Sequence, residues 1–121
     1  MRQTYQRGDV LLVELPFTDG PGGKRRPAVV LSTEAFNRAG IKIIVAAITS
    51  NLSVPFRPGD TTLGDWQAAG LLKPSAVRGY LGMADQRHVE RSLGKMTDAD
   101  LSQVEQGVAD IMGLAVPSRN Q

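Results

Sequence analysis

Three short, largely apolar runs crowd the first half of the chain, and one long stretch with helical periodicity lies near its end. The runs are Asp9 to Leu15, Ala28 to Ser32 led in by Pro27, and Lys42 to Ile48. Each is too short for a core helix, is rich in Val, Ile and Leu, and is bounded by turn residues, so each reads as a buried strand. Proline suits a strand start, where no ladder N–H is needed. Towards the end, Leu101, Val104, Val108 and Ile111 recur at spacings of three and four. That spacing predicts one apolar face of a helix from about Asp98 to Met112. Thr97-Asp-Ala-Asp100 is a capping-box variant with Asp in the Glu position, and Gly113 supplies a stop. Short strands followed by one amphipathic helix predict an α+β domain with a small, strongly curved sheet.

The segments between are less regular. Glu34 to Gly40 reads as a turn or a single helical turn, Asp60 to Leu63 as a brief edge strand, and Gly64 to Gly70 as a helical turn. Leu71 to Val77, Tyr80 to Met83 and His88 to Leu93 read as short strands, and residues 115–121 as a flexible tail.

A length of 121 residues suits a single domain spanning 1–121. The chain has no cysteine, so a disulfide framework and a Cys-built zinc site are excluded. His88 is the one histidine, which excludes a multi-histidine metal site and a two-histidine ribonuclease mechanism. No metal or other cofactor is expected. The formal net charge is only +2, but Lys24, Arg25 and Arg26 are consecutive while acidic residues gather near the C-terminal helix. A basic loop and an acidic helix can occupy different faces of one domain. No apolar signal segment follows Met1, and no run is long enough to span a membrane, so a soluble cytoplasmic chain is the expectation.

Chemistry concentrates at two strand ends. Gly20-Pro-Gly-Gly-Lys-Arg-Arg-Pro27 lacks the Gly-Lys-Ser/Thr ending of a nucleotide-binding loop. Its glycines allow close backbone approach to a ligand, and its arginines present planar forks that match phosphate oxygens. Arg26 sits where this loop meets a rigid strand. Taken alone, a solvated basic turn is the better reading of the run. Thr49-Ser-Asn51 ends the third strand, where the sheet fixes direction and the loop gives access, although Ser and Asn are also ordinary turn residues. Lys73-Pro-Ser75 pairs a cation with a hydroxyl. Trp66 suits packing better than base stacking. His88, flanked by Arg87 and Arg91, suits a structural or surface role.

Arg7-Gly-Asp-Val10, Arg26-Pro-Ala-Val-Val-Leu-Ser32 and Val45-Ala-Ala-Ile-Thr-Ser50 occur in that order. Pro16-Phe-Thr-Asp19, Gly23-Lys-Arg-Arg-Pro27, Gly70-Leu-Leu-Lys-Pro-Ser75 and Leu93-Gly-Lys-Met-Thr-Asp-Ala-Asp-Leu101 accompany them. Together, over about residues 7–114, the chain resembles the MazF/PemK family of bacterial toxins. The resemblance implies an SH3-like small β-barrel of the MazF/CcdB kind with a C-terminal helix, and a homodimer. It implies sequence-specific, metal-independent endoribonuclease activity on single-stranded RNA, leaving a 2′,3′-cyclic phosphate and a 5′-OH. It also implies a small acidic, MazE-like antitoxin that covers the RNA groove. Arg26 and Thr49 take the family's catalytic positions, and Lys24, Arg25, Ser50, Asn51, Lys73 and Ser75 are the expected RNA contacts. Two departures stand out. The loop from Gly20 to Arg26 holds no Glu, and Lys73-Pro-Ser75 stands where other members carry an Arg-x-Asp pair. Two other readings fit the same fold: a CcdB-like toxin that binds DNA gyrase without needing Arg26, and an RNA-binding barrel that binds with steep salt dependence but never cuts.

Overall fold

The computed structural model describes residues 4–15 and 25–115. The glycine-rich loop up to Lys24, and the tail from residue 116, lie outside the described residues. The elements run β1 (Asp9–Glu14), β2 (Arg25–Val30), α1 (Glu34–Ala39), β3 (Lys42–Thr49), β4 (Thr61–Thr62), β5 (Ala76–Asp85), a 3₁₀ turn (Gln86–His88), β6 (Val89–Lys95) and α2 (Asp98–Met112). The six strands form one sheet in the order β4-β5-β3-β2-β1-β6, with every pairing antiparallel. This is the α+β arrangement expected, and no helix among the described residues is long and apolar enough to cross a membrane.

The apolar runs are continuous rather than alternating because both faces of the sheet are buried. Val10, Val29, Ala46, Ile48 and Val77 face one cluster, which α2 covers with Leu101 and Val104. Leu11, Val13, Ala28, Val30, Ile43, Val45 and Ala84 face the other. The described members of that second cluster come from the strands, with Leu15 and Tyr5 from the flanking segments.

The helix boundaries fall where periodicity and caps put them. Thr97 Oγ1 accepts from Asp100 N, and Gly113 ends α2 in the left-handed region at φ 71°. The capping box, however, is only half made. The Asp100 carboxylate accepts from Gly64 N (3.0 Å) and Asp65 N (2.8 Å), tying the 64–65 turn to the start of α2. Trp66 packs partly buried against the first cluster. The strands expected at Leu71–Val77 and Tyr80–Met83 are instead one ten-residue strand, β5, entered from bends at 72–73. β2 begins at Arg25, so Pro27 lies inside it, opposite Leu12 of β1, before the β3 ladder starts at Ala28. There a missing N–H costs no ladder bond to β3.

Two backbones meet without side chains between them at Gly70 and Gly94. A Cβ on Gly70 would stand 1.9 Å from Leu93 O, and one on Gly94 would stand 2.6 Å from Ala69 O. This contact pins the 69–73 segment against β6.

Asp85 caps the 3₁₀ turn, accepting from Arg87 N at 2.8 Å, and its other oxygen accepts from Arg87 Nη2 at 2.7 Å. The Arg87 side chain and amide hold the Asp85 carboxyl well below the usual carboxylate range. A lowered folded-state value means the interaction stabilises the protein above the ordinary carboxylate pKa of about 4 and loses that contribution as pH falls below it. Asp85→Asn should therefore melt at a lower temperature than wild type at pH 7, with the gap closing below about pH 4 in thermal scans. A gap that widens towards acid pH would contradict this assignment.

Candidate active site at the ends of β2 and β3

The β2–β3 register pairs Ala28 with Ala47. Counting two residues further along each strand brings Arg26 opposite Thr49. Both are in phase with the residues of the second core cluster, since side chains alternate along a strand. The two residues singled out by sequence thus share one place at the sheet's end.

They line a cleft of 430 Å³ with Ala47, Asn51, Val54, Arg57, Arg78 and Tyr80. They also line a second cleft of 580 Å³, whose walls include Leu12, Arg25, Pro27, Ser50, Lys73, Ser75 and Arg91. Leu12, Arg25 and Pro27 have the opposite phase along their strands, so the two clefts flank the end of the β2–β3 pair, with Arg26 and Thr49 on the ridge between them. Of the expected RNA contacts, Asn51 lies in the first cleft and Arg25, Ser50, Lys73 and Ser75 in the second. Lys24 lies outside the described residues.

Local hydrogen bonds set what each group can offer. Thr49 Oγ1 accepts from Asn51 N at 3.0 Å, which fixes the rotamer and leaves the hydroxyl hydrogen to donate into the cleft. Asn51 Oδ1 accepts from Ser53 N and Ser53 Oγ. Ser75 is buried, and its hydroxyl donates to Lys73 O at 2.8 Å, closing the turn that presents Lys73. Arg25 Nε donates to Glu90 Oε1 at 2.9 Å, on an exposed surface where such a pair adds little stability. His88 lines neither cleft and stands with Nδ1 3.7 Å from Glu14 Oε1.

Sequence reasoning missed Arg57, Arg78, Tyr80 and Arg91. Arg78 and Tyr80 enter through a bulge. Ala46 pairs with Leu81 and Ile48 with Val77, so Ala47 alone faces Arg78, Gly79 and Tyr80. A bulge bends its strand and re-aims side chains, and here both Arg78 and Tyr80 line the cleft that Arg26 also lines. Asp60 anchors it from below. Its carboxylate, only 1% exposed, accepts from Gly79 N (2.8 Å) and Arg57 N (3.0 Å) and pairs with Arg78 Nη1 at 3.4 Å. Gly79 permits the approach, since a Cβ there would stand 3.3 Å from Pro58 O. The first cleft thus holds a buried guanidinium, Arg78, beside the half-buried Arg26.

Asp60→Asn should cost about 2 kcal/mol in urea unfolding, because Arg78 loses its countercharge in a place with little water. An unchanged unfolding midpoint would show that the pair is not holding the bulge.

Residues 6–112 match the family model described as PemK-like, MazF-like toxin of type II toxin–antitoxin system. The chain belongs to the PemK/MazF toxin family. This family member also shares its fold with solved structures. A MazF from Deinococcus radiodurans superposes with a TM-score of 0.74 at 22% identity, over 93% of this chain and 100% of that one. An endoribonuclease from Mycobacterial species gives 0.73 at 18% identity, over 95% and 97%. A Deinococcus radiodurans MazE-MazF complex gives 0.72 at 22% identity, over 93% and 100%. No curated protein sequence matches the PemK/MazF chain.

Proposed function

We propose that the chain is an endoribonuclease toxin that cuts single-stranded RNA at the Arg26–Thr49 ridge, without a metal ion. The observation that carries this is the meeting of Arg26 and Thr49 on adjacent strand ends, in a cleft that also holds Arg57 and Arg78. A 2′-OH gives up its proton to the surrounding water and attacks the adjacent phosphorus, the new 2′-O–P bond forms, the P–O5′ bond breaks, and the leaving 5′ oxygen takes a proton in turn, so the two transfers cancel. The products are a 2′,3′-cyclic phosphate and a 5′-OH. The phosphorane on the way carries extra negative charge, and a fixed guanidinium favours it over the ground state. Arg26 supplies that charge, Thr49 donates to a phosphate oxygen, and Arg78 adds a second cation behind them. A guanidinium is too weakly acidic to serve as the base. The second cleft, with Arg25, Lys73 and Arg91, takes neighbouring phosphates.

The toxin acts as a homodimer and is held inactive by an acidic, MazE-like antitoxin over the basic clefts. The basic lining supports this reading, as do related folds described as MazE-MazF complexes. Incubated with mixed RNA in EDTA, the protein should give discrete cuts with 5′-OH ends. Intact RNA would overturn the proposal.

A further inference from the structure

Within the first cleft, Arg57 and Tyr80 form a unit that phosphate chemistry does not require. The Arg57 guanidinium carbon stands 5.3 Å from the Tyr80 ring centroid. Tyr80 is half-buried, with its inner side packed on the second core cluster. Both partners are positioned through one group. Asp60 accepts from the backbone of Arg57, and it holds the bulge from which Tyr80 projects through Gly79 N. Apolar Val54 and Pro55 complete the wall on that side. A stacked ring and guanidinium, pre-set and bordered by apolar surface, suit the flat face of a nucleobase. A phosphate alone would need only the cation.

We propose that Arg57 and Tyr80 form a stacking platform for a nucleobase of the bound strand, beside the Arg26–Thr49 ridge. This rests on the reading of the cleft as an RNA groove and names what one wall of it recognises. The platform acts on binding: every base has a π-face, so it favours base-bearing strands over bare sugar-phosphate with little sequence demand. Arg57 serves both parts, as a cation for the backbone and as one layer of the stack.

The test uses the full chain and uncleavable 2′-O-methyl dodecamers read by fluorescence anisotropy. One strand is adenine throughout, and the other is abasic throughout. Wild type should bind the adenine strand about tenfold more tightly than the abasic one. Tyr80→Leu should bind both strands with nearly equal affinity, keeping wild-type affinity for the abasic strand, and Tyr80→Phe should keep the wild-type ratio. Arg57→Ala, on the exposed side of the stack, should also shrink the ratio, and it leaves the core untouched if Tyr80→Leu fails to fold. Equal binding of the two strands by wild type would overturn the platform while leaving the RNA groove standing. An unchanged ratio in folded Tyr80→Leu, or in Arg57→Ala, would do the same. No binding of either strand would overturn both.

Discussion

Arg26→Ala is expected to cleave RNA roughly 100 to 1,000 times more slowly than wild type, the usual cost of removing one fixed donor from a developing anion. The measurement is a single-turnover rate on an oligonucleotide spanning a mapped cut. Binding of the same strand with a 2′-O-methyl at the cut should weaken far less, because Arg25, Lys73 and Arg91 still line the neighbouring cleft. Arg26→Lys should fall between the two, keeping the charge but losing the planar fork that holds two oxygens at once. The fold should survive, since the side chain sits at the start of β2 and its strand pairing with Val13 is made by the backbone. Equal rates for wild type and Arg26→Ala would remove Arg26 from the chemistry. Undiminished toxicity of that variant in cells would favour a gyrase-binding mode instead.

Gly70→Ala should be the most damaging single methyl group in the described part of the chain. Gly70 has φ +83°, so an L-residue there is strained before any contact is counted. The new methyl would also meet the Leu93 carbonyl at 1.9 Å, a backbone atom in a paired strand that has no rotamer to change. The expected loss is about 4 kcal/mol or more, a large share of a small domain's stability. Two other glycines calibrate the effect. Gly113 has φ +71° in open space, so Gly113→Ala should cost about 1 kcal/mol from backbone strain alone. Gly40 has neither strain nor a neighbour within 4 Å, so Gly40→Ala should be close to neutral. Urea unfolding of the three variants should return that order. A Gly70→Ala protein as stable as Gly113→Ala would mean that the 69–70 and 93–94 backbones do not meet.

The elements that could be read from sequence are those whose patterns have one cause. β1, β3 and α2 are bounded by turn or cap residues and buried along a face or on both faces, and their limits fall within a residue or two of expectation. β5 was illegible because it serves two purposes. Ala76 and Val77 pair with β4 on one side and with Thr49 and Ile48 of β3 on the other, Leu81 to Asp85 pair with β3, and a three-residue bulge lies between, for which Gly79 is the one local signal. The site divides in the same way. Arg26 and Thr49 stood out through the family resemblance, and the structure brings both to strand ends that line one cleft. Arg57, Arg78 and Tyr80 did not stand out, because the Asp60 carboxylate that gathers them acts between segments about 20 residues apart. The one hint was a charged residue placed directly after Ala76 and Val77 in a strand-like run, beside a glycine.

If RNA is cut at the Arg26–Thr49 ridge as proposed, the ridge also limits which RNA conformations can be cut. A strand lying in both hollows must pass over the end of the β2–β3 pair, so the nucleotides on either side of the crossing turn away from each other and cannot stay stacked. On that reading the backbone would kink at the phosphate that Arg26 meets. A helical stem resists such a kink through its own stiffness, whatever its sequence. Structured RNA would then be spared for mechanical reasons, and unpaired stretches would be vulnerable simply because they bend.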